Sequence, residues 1–345
     1  MKTPSANSLC QASAQTDQKG PAQAGQMAHQ QAMPSASLDA LTALAALAER
    51  QWHRHGQENA IDGLRLTRAT EPSGTMRAIY PTSFCVVLQG SKLSELADTR
   101  FHYRQGQCLL ASVNVPVNSR IMEASPNCPY VAFSVALDPE MVAELLLHAP
   151  ASALATAPRQ AACPPLAERP SALSTAALPT DLIDPLLRLL QLLDQPQDLA
   201  VLEPLLRREI CWRLLRSPMG AALQQIGMED SDTARIGRVT AWMRSHYQQG
   251  FKVADLAAMA SMSPASFHRH FKAITQFTPV QFQKQIRLQA ARRLLLTDHE
   301  VASVGYRVGY ESPSQFSRDY HKVFGAPPGR DKAKLRSSLV LESID

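Results

Sequence analysis

The segment Ser263-Pro264-Ala-Ser-Phe267-His-Arg269-His-Phe271 recurs at an offset of 49 residues as Ser312-Pro313-Ser-Gln-Phe316-Ser-Arg318-Asp-Tyr320. The agreement continues through Ile274/Val323 and Pro279/Pro328. Upstream, Val253-Ala254-Asp-Leu256-Ala257 matches Val301-Ala302-Ser-Val304-Gly305, with one extra residue in the second turn. Each copy reads as helix, short turn, helix. In the first, Val253–Ala260 leads and Ser261-Met262 turn. Ser263 then caps a second helix, with Pro264 at the first helical position, where its missing N–H costs nothing. Phe267, Phe271 and Ile274 recur at i, i+4, i+7 and point inward. Ala265, Ser266, His268, Arg269 and Lys272 face outward. In the second copy Ser312 caps, Phe316, Tyr320 and Val323 point in, and Ser314, Gln315, Ser317, Arg318 and Lys322 point out.

Charge says what such an outward face can meet. The net charge is +5 overall, but Thr233–Leu335 holds 16 Lys+Arg against 6 Asp+Glu, a net of +10, which leaves the rest of the chain at −5. A basic unit on a slightly acidic partner indicates that one part meets a polyanion. A helix-turn-helix places its second helix in the DNA major groove, where arginine makes bidentate contacts to guanine or charge contacts to phosphate. Between the copies, Val280–Leu296 mixes Phe282, Ile286, Leu288, Leu294 and Leu295 with Arg287, Arg292 and Arg293. This predicts a rigid spacer helix with its arginines available for phosphate. It would set the two recognition helices in successive groove segments roughly 34 Å apart.

The remainder reads differently. Residues 1–36 are rich in Gln, Ala and Ser, too poor in large apolar groups to offset ordering entropy, and are expected to be a disordered tail. Ser37 can cap a helix to about Arg54, with Leu38, Leu41, Ala45, Ala48 and Trp52 at helical spacing. Over 61–137, short apolar runs (Phe84–Leu88, Cys108–Ala111, Tyr130–Val135) alternate with turn signals, which predicts a β-barrel or sandwich. Met141–His148 reads as helix. Residues 149–180 are Ala/Pro/Ser-rich and read as loop. Asp184-Pro185 and Glu203-Pro204 each announce a helix, ending near Asp194 and Ser217. Leu186, Leu187, Leu189, Leu190, Leu192 and Leu193 make the first of these apolar nearly all round. Either the β region or a second copy of the chain must cover it.

Six cysteines (Cys10, Cys85, Cys108, Cys128, Cys163, Cys211) form no C-x-x-C pair or zinc spacing and read as reduced thiols. No run of 18 apolar residues and no signal-peptide layout occurs, so no membrane span and a cytoplasmic location are expected.

These residues resemble the AraC/XylS-type family of bacterial regulators. The resemblance covers about 233–332. It is carried by Arg287-Leu288-Gln-Ala-Ala291-Arg-Arg-Leu294, by Val308-Gly309-Tyr310-Glu-Ser312-Pro-Ser-Gln-Phe316-Ser-Arg318, and by Phe324-Gly325-Ala-Pro327. It implies base-facing residues at Ala265, His268 and Arg269, and at Pro313, Ser314, Ser317 and Arg318. Ala265 and Pro313 cannot hydrogen-bond bases, so readout would lean on the others and on DNA shape. The upstream segments Cys85–Gly90, Phe101–Gly106, Val113–Pro116 and Glu123–Tyr130 resemble the N-terminal domain of one branch of the family. That implies a cupin-like β-barrel for sensing or dimerisation. Two departures stand out. Gly305 sits where the family usually has Ala, at about 1 kcal/mol of helix propensity. The stretch Gly329-Arg330-Asp331-Lys332 lacks the usual aromatic, which predicts a frayed last helix.

The expected protein is therefore α+β, a cupin-like β-barrel followed by an all-α domain of two helix-turn-helix units joined by a linker helix. Its parts are a tail at 1–36, a sensor at 37–150, a linker with two helices at 151–230 and a DNA-binding domain at 231–335. It binds double-stranded DNA through Ala265, Ser266, His268, Arg269, Lys272, Pro313, Ser314, Ser317, Arg318 and Lys322. Its other candidate partners are a small-molecule effector, a second copy and RNA polymerase. The effector would act through the helices at 181–217. No cofactor, metal or catalytic residue is expected. Two rival readings are a cupin-type metal enzyme, for which the barrel region offers only His102, and a DNA-independent helical interaction module. The H-x-H pairs at His53/His55 and His268/His270 diverge on helices and suit no metal.

Overall fold

The computed structural model describes residues 35–150, 171–297 and 300–333. The tail at 1–36 lies almost wholly outside the described residues, as does most of the stretch read as loop at 149–180. Helix α1 (Ser35–His55) buries Leu41, Leu44, Ala45 and Ala48 along one stripe.

Among the described residues nine strands follow: β1 (Leu64–Ala69), β2 (Met76–Tyr80), β3 (Ser83–Gln89), β4 (Ser91–Leu96), β5 (Thr99–Arg104), β6 (Gln107–Ala111), β7 (Val115–Glu123), β8 (Tyr130–Ala136) and β9 (Leu173–Ala177). They form two antiparallel sheets, ordered β1-β8-β3-β6-β9 and β2-β7-β4-β5. The two-residue period of a strand divides its side chains between two layers. On β3, Phe84, Val86 and Leu88 pack with the helices, while Val87 packs toward the second sheet. Both faces of the central strands of the first sheet are thus covered, which is why β3 and β8 read as nearly continuous apolar runs.

Strand β9 corrects the loop expected there. It carries one buried large side chain, Leu173, followed by Ser, Thr and Ala. Among the described residues it pairs with β6 alone, at the sheet's edge, so its alternation is too weak to stand out in sequence.

Helix α2 (Pro139–His148) is capped by Asp138, whose side chain accepts from Glu140 N at 2.9 Å. Helices α3 (Ile183–Gln191), α4 (Leu199–Leu215) and α5 (Gly220–Gly227) come next. Pro204 does not open α4 but lies inside it, because the chain had already turned helical from Leu199. The leucine run is covered within the chain. Leu186, Leu189, Leu190, Leu192 and Leu193 are buried in one cluster with α1, the first sheet and α4. At about 1.5–3 kcal/mol per buried leucine this is a substantial part of the N-terminal core. The run needs no second copy to cover it.

Cys85, Cys108 and Cys211 are free thiols; burial pushes the last two up to about 12. Cys128 is disulfide-bonded, which overturns the reading of all six cysteines as reduced. Spacing carries no signal for a pair that only folding brings together. No described helix is long and apolar enough to cross a membrane.

The helical C-terminal part comprises α6 (Asp232–Ser245), α7 (Val253–Met259), α8 (Pro264–Thr275), α9 (Pro279–Leu296), α10 (Val301–Arg307) and α11 (Pro313–Phe324). A further helical stretch spans 328–333.

Candidate nucleic-acid interface

Helices α7 and α8 form the first helix-turn-helix. The Ser263 hydroxyl accepts from Ser266 N at 3.3 Å, capping α8 as its sequence predicts. Phe267, Phe271 and Ile274 are buried, and Phe271 meets Phe282 of α9 edge-on at 5.4 Å. Opposite this stripe, Ala265, His268, Arg269 and Lys272 are exposed and Ser266 is half-exposed. His270 turns the other way. It is buried, with Nδ1 2.8 Å from Asp232 Oδ2, and so ties α8 to α6.

Helices α10 and α11 repeat the arrangement. The Ser312 hydroxyl accepts from Gln315 N at 3.4 Å. Phe316 and Tyr320 are buried and Val323 is half-buried. Ser314, Arg318 and Lys322 are exposed, with Pro313 and Ser317 half-exposed beside them. Gln315 Oε1 accepts from Arg318 Nη2 at 3.0 Å, which holds that guanidinium along the outer face.

Two buried carboxylates that the sequence reading missed brace this second unit. Asp319 accepts from Lys284 Nζ of α9 at 3.0 Å, from Gln315 Nε2 at 3.0 Å and from Tyr310 OH at 3.4 Å. Asp331 accepts from Tyr320 OH at 2.7 Å and from Arg292 Nε at 3.1 Å. Burial, then the neighbouring carboxylates, push both phenols above their ordinary range. The contact at Asp331 pins 328–333, where fraying was expected. The repeat itself held a signal for Asp319, because it is the counterpart of His270 at the same offset of 49.

The two turns differ. Ser261 takes the left-handed conformation at φ 53°, whereas the second turn uses Gly309 at φ 93°. A Cβ on Gly309 would lie 2.2 Å from the Gln248 carbonyl oxygen, so only glycine fits. Gly305 also has a packing reason. A Cβ there would come within 3.1 Å of the Phe316 ring, so glycine lets α11 seat closely despite its helix-propensity cost.

Helix α9 starts with a reciprocal cap between Thr278 and Gln281. Its arginines correct the expectation that all are free for phosphate. Arg287 donates to the carbonyls of Tyr247, Gln248 and Gln249 at 2.7, 3.1 and 3.2 Å. Arg292 is committed to Asp331 and lies 4.9 Å from the Phe324 ring centre. Arg293 is exposed. Helix α9 also packs on strands β2 and β7, and Arg77 of β2 reaches the Phe324 ring at 5.3 Å.

Among the described residues, no group of three His, Cys, Asp or Glu side chains is placed to hold a metal, and His102 is exposed on β5.

The model for the AraC-type transcriptional regulator N-terminus matches residues 60–222, and a helix-turn-helix domain model matches 256–334. The chain is similar to the HTH-type transcriptional activator RhaS of Enterobacter sp., 32% identical over 111 residues that make up 30% of this chain and 40% of the relative. It is also similar to the MmsAB operon regulatory protein of Pseudomonas aeruginosa, 36% identical over 97 residues, 28% of this chain and 32% of that one. The chain thus spans less than half the length of these curated relatives. Among solved structures, ToxT of Vibrio cholerae aligns over 79% of this chain and 98% of its own, at 9% identity and a TM-score of 0.47. The DNA-binding domain of AdpA, solved with a target DNA, aligns over 30% of this chain and 95% of its own, at 33% identity and a TM-score of 0.29.

Proposed function

We propose, for a chain that belongs to the AraC-type transcriptional regulators, that it binds duplex DNA sequence-specifically through α8 and α11 and regulates transcription in response to a small molecule. The observation that carries this reading is the pair of capped helices whose polar faces are exposed on a basic domain while their aromatic stripes are buried. His268, Arg269, Ser314, Ser317 and Arg318 read base edges. Lys272, Lys322, Ser266 and Arg293 contact phosphate, and Ala265 and Pro313 fit against the groove without side-chain hydrogen bonds. The chain acts as a binding protein rather than an enzyme. Residues 37–150 serve as the sensor, 151–230 as the joining segment and 231–335 as the DNA-binding domain. A second copy and RNA polymerase are further partners. Val201 and Leu205 of α4, 66% and 60% exposed, are the apolar surface that a homodimer would cover.

The sequence reading routed the effector signal through 181–217. A more direct route is the contact of β2 and β7 with α9, together with Arg77 on Phe324. A change in the sheets reaches the second recognition helix across that contact.

Duplex binding measured against salt tests the reading. Log affinity should fall linearly with log salt, by about 0.9 for each phosphate contacted. The rival of a DNA-independent helical module predicts no affinity for duplex DNA at any salt concentration.

A further inference from the structure

We infer that one position of the repeat, His270 in the first unit and Asp319 in the second, holds a positioning residue for the recognition arginine of its helix, and that acid releases the arginine of the first unit alone. The inference rests on the DNA-binding reading above and deepens it.

Both arginines lean on a relay that ends at a carboxylate. In the first unit Arg269 Nη2 donates to His270 Nε2 at 3.3 Å, and His270 Nδ1 lies 2.8 Å from Asp232 Oδ2 of α6. In the second, Arg318 Nη2 donates to Gln315 Oε1 at 3.0 Å, and Gln315 Nε2 donates to Asp319 Oδ2 at 3.0 Å. A guanidinium only donates and a carboxylate only accepts, so the group between them must offer one acceptor and one donor. Imidazole and carboxamide both do. The same logic fixes how each adaptor is set. Nε2 of His270 is the bare nitrogen, Nδ1 carries the proton and the ring is neutral. Gln315 turns its oxygen to Arg318 and its nitrogen to Asp319.

The relays matter because both arginines are exposed while His270 and Asp319 are buried. An exposed arginine must surrender rotamer freedom when it meets a base edge. One tethered through a single Nη has less to surrender, and its other N–H groups still point outward. An apolar side chain would fill either buried position without any demand for hydrogen bonds, so packing alone does not call for these residues.

The two units part company in acid. Histidine is the side chain that changes charge between about pH 5 and 8. Protonation makes His270 Nε2 a donor facing a donor and sets two cations together, while the bond from Nδ1 to Asp232 persists. Asp232 and Arg269 are the charged groups in contact with the ring. On α6, Arg235 is paired with Asp230, Arg238 reaches the Glu229 carbonyl and Arg244 is exposed. Asp255 of α7 is exposed, as are His268 and Lys272 on α8 itself. On α9, Lys284, Arg287 and Arg292 are spent on Asp319, backbone carbonyls and Asp331, and Arg293 is exposed. The second relay contains no histidine.

The test uses the intact chain with duplexes that it selects from a random pool, their single base-pair variants and the unrelated duplex poly(dA-dT). His270→Phe and Gln315→Met should each lower discrimination at one element by about 3- to 10-fold, leaving affinity for poly(dA-dT) nearly unchanged. Neither should act further in its Arg269→Ala or Arg318→Ala background. Gln315 is exposed, so its variant keeps the test open if His270→Phe does not fold. With His268→Gln as the background, acidification from about pH 7.5 to about 5.5 should weaken discrimination at the first element only. Asp232→Asn should move that transition to lower pH, because the imidazolium loses its counter-charge. Long-range proton–nitrogen NMR of the free chain should find the His270 proton on Nδ1. A proton on Nε2 overturns the first relay, and undiminished discrimination in Gln315→Met overturns the second. Equal effects of the substitutions with and without the arginines, or an equal acid response at both elements, overturns the positioning role. Failure of the chain to select any duplex at low ionic strength sinks the DNA-binding reading instead, and the ring state, which needs no DNA, tells the two failures apart.

Discussion

The first helix-turn-helix shares its core with the β sheets, whereas the second folds around a small core of its own. Phe267, Phe271 and Phe282 belong to one continuous buried cluster with Val113 and Ala172, and the Ala172 amide donates to Ile274 O at 3.2 Å. Phe316 and Tyr320 instead pack with Leu288, Leu295 and Val304, and two buried carboxylates hold the edges. The sheets reach this second unit through α9 and through Arg77 on Phe324. Two copies of one unit can thus present similar outer faces while one is fixed to the β sheets and the other is held more lightly.

Truncating the core phenylalanines should break the comparison most visibly. Phe316→Ala and Phe271→Ala should each cost about 3–5 kcal/mol. The account expects Phe316→Ala to loosen the second unit alone and Phe271→Ala to destabilise the β sheets as well, which hydrogen exchange of β4 and β7 would report. Equal effects of both substitutions on those strands would remove the distinction.

Gly309→Ala should cost about 2–4 kcal/mol, combining left-handed strain with the approach to the Gln248 carbonyl. Chemical denaturation measures it, and a loss below about 1 kcal/mol would mean that the turn relaxes. Next come Arg269→Ala and Arg318→Ala, each expected to lose on the order of 1–3 kcal/mol of DNA affinity if it reads a base. Uniform losses across unrelated sequences would reassign that arginine to phosphate. The smallest effect has the opposite sign. Ser261→Gly should stabilise the first turn by up to about 1 kcal/mol, because αL strain is relieved and only partly offset by glycine's flexibility. Destabilisation would imply a role for the serine side chain.

The recognition helices were legible because their capping serines, prolines and phenylalanines act locally. Caps and helical stripes depend on neighbours within a turn or two, and the repeat doubled the signal. The strands of the first sheet were legible for a similar reason, since large β-branched and aromatic residues fill both faces of β3 and β8. Strand β9 was not, because an edge strand of Ser, Thr and Ala depends on a partner some 65 residues away in sequence, Leu109 to Thr175 for example. The roles of Arg287 and Arg292 were misjudged because a surface arginine and one spent on carbonyls or a carboxylate look alike until the fold brings Tyr247 and Asp331 to them. The inward turn of His270 and Asp319 was hidden by their polarity, though both stand at one position of the repeat.

Selection of binding sites by the intact chain from a pool of random duplexes is the most direct test of the account. It predicts enrichment of two short elements about 10–10.5 base pairs apart, one lost in Arg269→Ala and the other in Arg318→Ala. No enrichment at low ionic strength, or a single element untouched by either substitution, would contradict it.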